Sequence, residues 1–217
     1  MTSPSEVTVS GSHICSLSRS AEGQREFLLS FLEEGITNGE SCLCVVPDQD
    51  ADEWSKAFQI RGITSSSGGR LQILKGSDWR LQRDANSIIQ ARRVWRMMER
   101  ALWNYRAVRF AVDMNWTLDA DVPVDRLSHW EAALNPLLGG GVPTQMICGY
   151  RLDALPDAFI VAGLRTHPSV VLDDKQVSNP YYEAPSILED EPHRNLPGPD
   201  VPPLNEMLAR IAEQPKP

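Results

Sequence analysis

The feature that most constrains this chain is a regular alternation of short apolar runs with segments of helical periodicity. Residues 13–17, 42–46, 71–74, 108–113 and 146–150 read as strands, and 170–172 as a further short one. The run Cys42-Leu43-Cys44-Val45-Val46 is apolar on both faces, as a parallel strand covered on two sides must be. Between the strands, residues 22–36 carry Phe27, Leu28, Phe31, Leu32 and Ile36 on one helical stripe. Residues 84–105 do the same with Ile88, Ala91, Trp95, Met98 and Leu102. Leu127, Trp130, Leu134 and Leu137 mark another helix, residues 155–164 one more, and Trp54, Ala57 and Phe58 a short one. The prediction is an α/β protein: a mostly parallel sheet flanked by helices on both faces, with ligands at the carboxyl ends of its strands.

The 217 residues suit one domain with extensions. Boundaries fall at composition changes: a polar, flexible N-terminus over 1–11, a domain over 12–186, and an acidic, proline-rich tail over 187–217. Leu204, Met207, Leu208 and Ile211 give the tail a short terminal helix, which either docks on the domain or a partner chain or stays mobile. A net charge of −8, from 29 acidic and 21 basic residues, argues against direct nucleic-acid binding and against an anionic membrane surface. No apolar run is long enough to span a bilayer, and the polar start lacks signal-peptide character, so a cytoplasmic location is expected. Cys15, Cys42, Cys44 and Cys148 sit in apolar runs without a C-x-x-C pair, so four buried free thiols are expected.

Strand 13–17, the turn 18–23 and the following helix have the order of a phosphate-binding loop. The stretch Phe31-Leu32-Glu33-Glu34-Gly35-Ile36-Thr37-Asn38-Gly39-Glu40 resembles the first helix and turn of KaiC-like RecA ATPases. Under that alignment Gly23 takes the last loop glycine, Gln24 the lysine, Arg25 the serine or threonine, and Ser18 the first glycine. Asp113 falls where such ATPases hold magnesium. The charge and hydroxyl that hold ATP are missing, so a degenerate loop without hydrolysis is expected, and a divergent ATP-binding protein is the alternative.

The ordered set His13-Ile14-Cys15, Phe31 to Glu40, Asp113-Met114-Asn115-Trp116, Glu131 with Leu134 and Asn135, Cys148-Gly149-Tyr150, His167-Pro168, and Asn179-Pro180-Tyr181-Tyr182 with Pro185 resembles the MEDS domain, the methanogen/methylotroph DcmR sensory domain. Gly149 departs from it, where glutamine is expected. The resemblance implies a cytoplasmic sensor of small molecules such as hydrocarbon derivatives, acting on transcription or signalling. With no helix-turn-helix or kinase motif in the chain, output is expected through a regulatory protein partner or the tail, with a homo-oligomer also open. No catalysis, cofactor or metal is called for.

The ligand contacts expected from these readings are His13, Cys15, Arg19, Asp113, Trp116, Cys148, Tyr150 and His167. His13 and Cys15 share one strand face, and with Cys148 they form either a soft metal or thiol site or three core residues; spacing alone does not support zinc. Asp113 and Glu131 read either as paired carboxylates or as ordinary strand-end and capping acids. Trp116, just past a strand, is expected to wall the strand-end pocket, whereas Trp130 sits on a core stripe. Pro168 forces a turn at His167. Residues 179–182 read as a lid or an extended edge, and Arg92, Arg93, Arg96 and Arg100 as a solvated helix face.

Overall fold

The computed structural model describes residues 12–63, 69–79, 87–139, 141–185 and 201–215. The expected flexible N-terminus, the loop at 65–68, the first turn expected for the third long helix and the prolines of 187–200 lie outside the described residues. The strands are β1 (Ser12–Ser18), β2 (Ser41–Val46), β3 (Leu71–Lys75), β4 (Val108–Asp113), β5 (Thr144–Arg151), β6 (Ser169–Leu172) and β7 (Lys175–Ser178). The α-helices are α1 (Ala21–Thr37), α2 (Ala51–Ile60), α3 (Ser87–Leu102), α4 (Trp116–Asp119), α5 (Val124–Leu138), α6 (Asp157–Thr166) and α7 (Leu204–Glu213).

All seven strands form one sheet in the order β3-β2-β4-β5-β1-β6-β7, and every neighbouring pair is parallel except β6 with β7. The alternation therefore produced the α/β fold expected. Side-chain parity splits the core in two. Ile14, Cys42, Cys44, Val46, Ala111 and Ile147 face α1 and α2. Cys15, Leu43, Val45, Phe110, Val112, Cys148 and Tyr150 face the layer built from α3, α5 and α6. All four cysteines are free and buried.

Two connections differ from the sequence expectations, and the terminal helix takes one of its two expected places. A β6–β7 hairpin was not foreseen; Asp173 and Asp174 make its turn at φ 49° and 60°. Residues 179–182 form neither lid nor strand: Asn179 is buried and donates its amide to the Leu164 and His167 carbonyls, closing the C-terminal end of α6. Helix α7 is docked, with Met207 and Ile211 buried beside α6 and β6. Lys175 on β7 donates to the Ala212 and Gln214 carbonyls, placing a cation at the helix C-terminus, where the dipole favours one.

Candidate functional site

The register sets His13 of β1 and Cys148 of β5 on the same face of neighbouring central strands, with Cys15 directly paired to Cys148. Helix α5 runs over that face and turns Glu131 and Asn135, four residues apart, towards it. His167 ends α6. Its backbone is extended at φ −111°, ψ 126°, as a residue before proline prefers, and this swings the ring back beneath the sheet. His13, Glu131, Cys148 and His167 thus meet in the core, with one ligand-type atom from each within 4.8 Å of all the others.

Each of these groups is oriented. Asn135 donates its amide nitrogen to the Thr166 carbonyl at 2.7 Å, which aims its oxygen at His13 Nδ1, 3.1 Å away. His13 therefore carries its proton on Nδ1, leaving Nε2 bare at 3.6 Å from Cys148 Sγ. His167 Nδ1 donates to the Gly163 carbonyl at 2.7 Å, and its Nε2 has no hydrogen-bond partner. Glu131 Oε2 accepts from the Tyr150 hydroxyl at 2.5 Å and lies 3.0 Å from Thr166 Oγ1, while Oε1 has no partner. The two imidazoles lie with ring centres 3.9 Å apart, and Tyr150 meets His167 edge-on.

Burial sets the charges. It lowers His13 to about 4 against the Asn135 hydrogen bond, and lowers His167 further below its ordinary value, so both rings are neutral at pH 7. It raises Glu131 to about 7, opposed by the hydrogen bonds from Tyr150, Thr166 and Cys148. The Cys148 and Cys15 thiols are pushed up by burial and then by the neighbouring carboxylate. The chain thus encloses two acceptor atoms, Glu131 Oε1 and His167 Nε2, without a hydrogen-bond partner. Such groups cost free energy unless something binds them.

Tyr150 is held by Gly163. A Cβ added at Gly163 would lie 2.6 Å from Tyr150 Cζ, so the ring rests on the bare backbone of α6. We expect Gly163→Ala to destabilise by roughly 1–3 kcal/mol through overpacking, although alanine is the better helix former by ~1 kcal/mol. Urea denaturation of the two proteins measures this; an unchanged or raised midpoint would contradict it.

Of the eight residues expected to contact ligand, four converge here: His13, Cys148, Tyr150 and His167. Cys15 lies alongside. The other three are elsewhere. Arg19 pairs on the surface with Asp173 at 3.4 Å. Asp113 sits at the carboxyl end of β4, where burial raises its pKa while Asn115 hydrogen bonds hold it down. It lines a charged cavity of about 130 Å3 with Arg25, Asp50, Glu53, Trp54 and Arg151. Trp116 is a correction: it begins α4 at 1% exposure and packs in the core against Gly76, whose absent Cβ would lie 2.6 Å from the tryptophan Cβ. Asp113 and Glu131 do not pair, since they stand in different clusters. Glu131, Asn135 and Thr166 were not among the expected contacts. The available signal was a carboxylate on the otherwise apolar stripe of α5.

The fold and this centre define an α/β domain organised around a sealed set of histidine, thiol and carboxyl groups. A family model described as MEDS, MEthanogen/methylotroph, DcmR Sensory domain, matches residues 12–168, and the chain belongs to that family. The match spans the whole buried centre, from His13 to His167. MEDS is a sensory-domain family, so membership supports a sensory role. Among curated proteins, none matches the chain. No described helix is long and apolar enough to cross a membrane.

Proposed function

We propose that this chain is a sensory module that binds a small molecule and relays the event to a protein partner. The observation that carries the ligand half is a cavity of about 250 Å3 between β3, α3 and α5. Leu74, Val94, Met97 and Trp130 give it apolar walls, and Asp78 and Arg93 add polar anchors. Apolar walls with a few polar groups are the usual composition of a small-molecule site. The volume lies below the roughly 300–1,000 Å3 of sites for drug-sized ligands, so it suits a molecule of a few carbons. Trp130 lines this cavity while the next residue, Glu131, faces the buried centre. Helix α5 therefore touches both.

The test is a thermal-shift and tryptophan-fluorescence screen of short-chain alcohols, amines and thiols. A ligand present at a hundredfold excess over its Kd should stabilise the protein by about 2.7 kcal/mol. Met97→Trp, which fills the cavity from a half-buried position, should abolish the shift while leaving the unliganded melting temperature within a few degrees. Equal shifts in both proteins would place the ligand elsewhere.

The competing ATP-binding reading is weighed by the β1–α1 connection. Only Arg19 and Ser20 separate the two elements, and the Ser20 hydroxyl already accepts from Gly23 N at 3.1 Å. Gln24, the residue the ATP reading would align with the phosphate-binding lysine, is 1% exposed and packs over Gly149. Millimolar ATP with magnesium is expected to leave the melting temperature unchanged. A rise of several degrees, lost in Asp113→Ala, would favour the ATP reading.

A further inference from the structure

We propose that His13, Glu131, Cys148 and His167 form a binding site for one divalent transition-metal ion of the zinc class. The inference is independent of the cavity described above and uses none of its lining residues.

The geometry is of ionic scale. Four donor atoms within 4.8 Å of one another lie at separations close to those of a single coordination shell. A tetrahedral site with bonds of about 2.0–2.3 Å has edges of roughly 3.5 Å. The His13 Nε2 to Cys148 Sγ separation of 3.6 Å already matches one edge. The other donor separations are no longer than 4.8 Å.

The surroundings are those of a ligand set. A metal-binding histidine generally donates its other ring N–H to a fixed oxygen, which orients the ring and sets the tautomer. Here both do so, His13 to Asn135 and His167 to the Gly163 carbonyl. The coordinating carboxylate is normally steadied as well, and Tyr150 and Thr166 hold Glu131 by Oε2. What these contacts leave without partners are Glu131 Oε1 and His167 Nε2, both wholly buried. Structure without metal gives no reason to enclose them; a cation does.

The donors also select the ion. Two imidazoles, a thiolate and a carboxylate suit zinc and exclude magnesium and calcium, which take oxygen ligands. Carboxylate and thiolate together balance a 2+ charge in an interior that would not tolerate a net one. With four protein ligands and no exposure, the site is of the closed kind. Loading then occurs during folding or local opening, and the thiol and carboxyl protons leave to solvent as the ion enters.

The whole chain should be expressed in minimal medium supplemented with zinc or with cobalt, then dialysed and analysed by metal quantification and absorption spectroscopy. We expect one equivalent of metal per chain. The cobalt form should show the visible bands of a tetrahedral site and a thiolate-to-cobalt charge-transfer band. Cys148→Ser should lose the charge-transfer band, and Cys44→Ala, on the opposite face of the sheet, should keep it. Asn135→Ala, which touches no metal, should weaken binding by about ten- to a hundredfold in a chelator competition. Because Cys148→Ser could fail to fold, Glu131→Gln, nearly the same shape, serves as the second variant. It should keep the wild-type circular dichroism and lose metal. Substoichiometric metal in the wild type, bound cobalt without a thiolate band, or folded Glu131→Gln retaining a full equivalent would each overturn the proposal.

Discussion

Arg109→Ala is expected to lower the unfolding free energy by about 3–5 kcal/mol, the range for removing one partner of a buried ion pair. Arg109 lies on β4, near the middle of the sheet, at 3% exposure. Its Nε donates to Glu40 at 2.8 Å, and one terminal nitrogen donates to the Phe31 carbonyl at 2.9 Å and to Glu34 at 3.1 Å. The guanidinium lies 4.9 Å from the centre of the Phe31 ring. Gly35 makes room for it: a Cβ there would come within 2.7 Å of Arg109 Cδ. Truncation leaves Glu40 and a buried carbonyl without their donor and opens a void between β4 and α1. Arg61 is the internal comparison. It also bridges two glutamates, Glu26 and Glu33, but those are solvent-exposed. Arg61→Ala should cost less than about 1 kcal/mol. Guanidinium denaturation of both variants separates the two settings; equal losses would refute the role given to Arg109.

Glu131→Gln should change how stability depends on pH in protein stripped of metal by a chelator. Burial raises the Glu131 carboxyl from 4.5 to about 7 in the folded state. Its ionisation therefore opposes folding. The penalty is absent below pH 4.5, grows as pH rises, and reaches on the order of 3 kcal/mol by pH 7. His13 acts in the other direction: its folded pKa falls from 6.5 to about 4, so its contribution is complete above pH 6.5 and is lost as pH falls towards 4. His167, lowered well below its ordinary value by burial, adds to His13, so in the wild type the carboxyl offsets only part of the histidine contribution across the shared window. In Glu131→Gln the carboxyl component is gone, so stability should climb more steeply from pH 4.5 to 7. Denaturation at half-unit pH steps gives both curves, and parallel curves would show that Glu131 does not titrate as its burial requires.

The strands were legible in the sequence because a doubly covered parallel strand is apolar over most of its length; β2 and β4 are buried at every position, Arg109 and Asp113 included. The β6–β7 hairpin was not, because its turn places two aspartates at positive φ, where glycine or asparagine is the usual signal. The site was half legible. Strand parity places His13 with Cys15, but only the register of β1 on β5 sets them against Cys148 and Tyr150. The rule that ligands gather at strand ends directed attention to Asp113 and Trp116. It has no bearing on side chains that project sideways from mid-strand beneath a helix. Trp116 looked peripheral because it follows a strand. Its burial depends on Gly76, forty residues earlier, leaving a gap that a tryptophan fills.

The order of strands in the sheet also governs how the protein can be made. Strand β1 is the first to leave the ribosome, yet its two neighbours are β5 and β6. Strands β2, β3 and β4 pair only among themselves and with β5, so they can begin to assemble while β1 waits. At 5–20 residues per second, the interval between residues 18 and 144 lasts on the order of ten seconds. Throughout it, Ile14, Cys15 and Leu17 lack the partners that bury them. Nascent β1 is thus the segment most open to chaperones and to mispairing with other chains. A slow stretch of synthesis before β5 should lower the soluble yield more than an equal delay placed after β6.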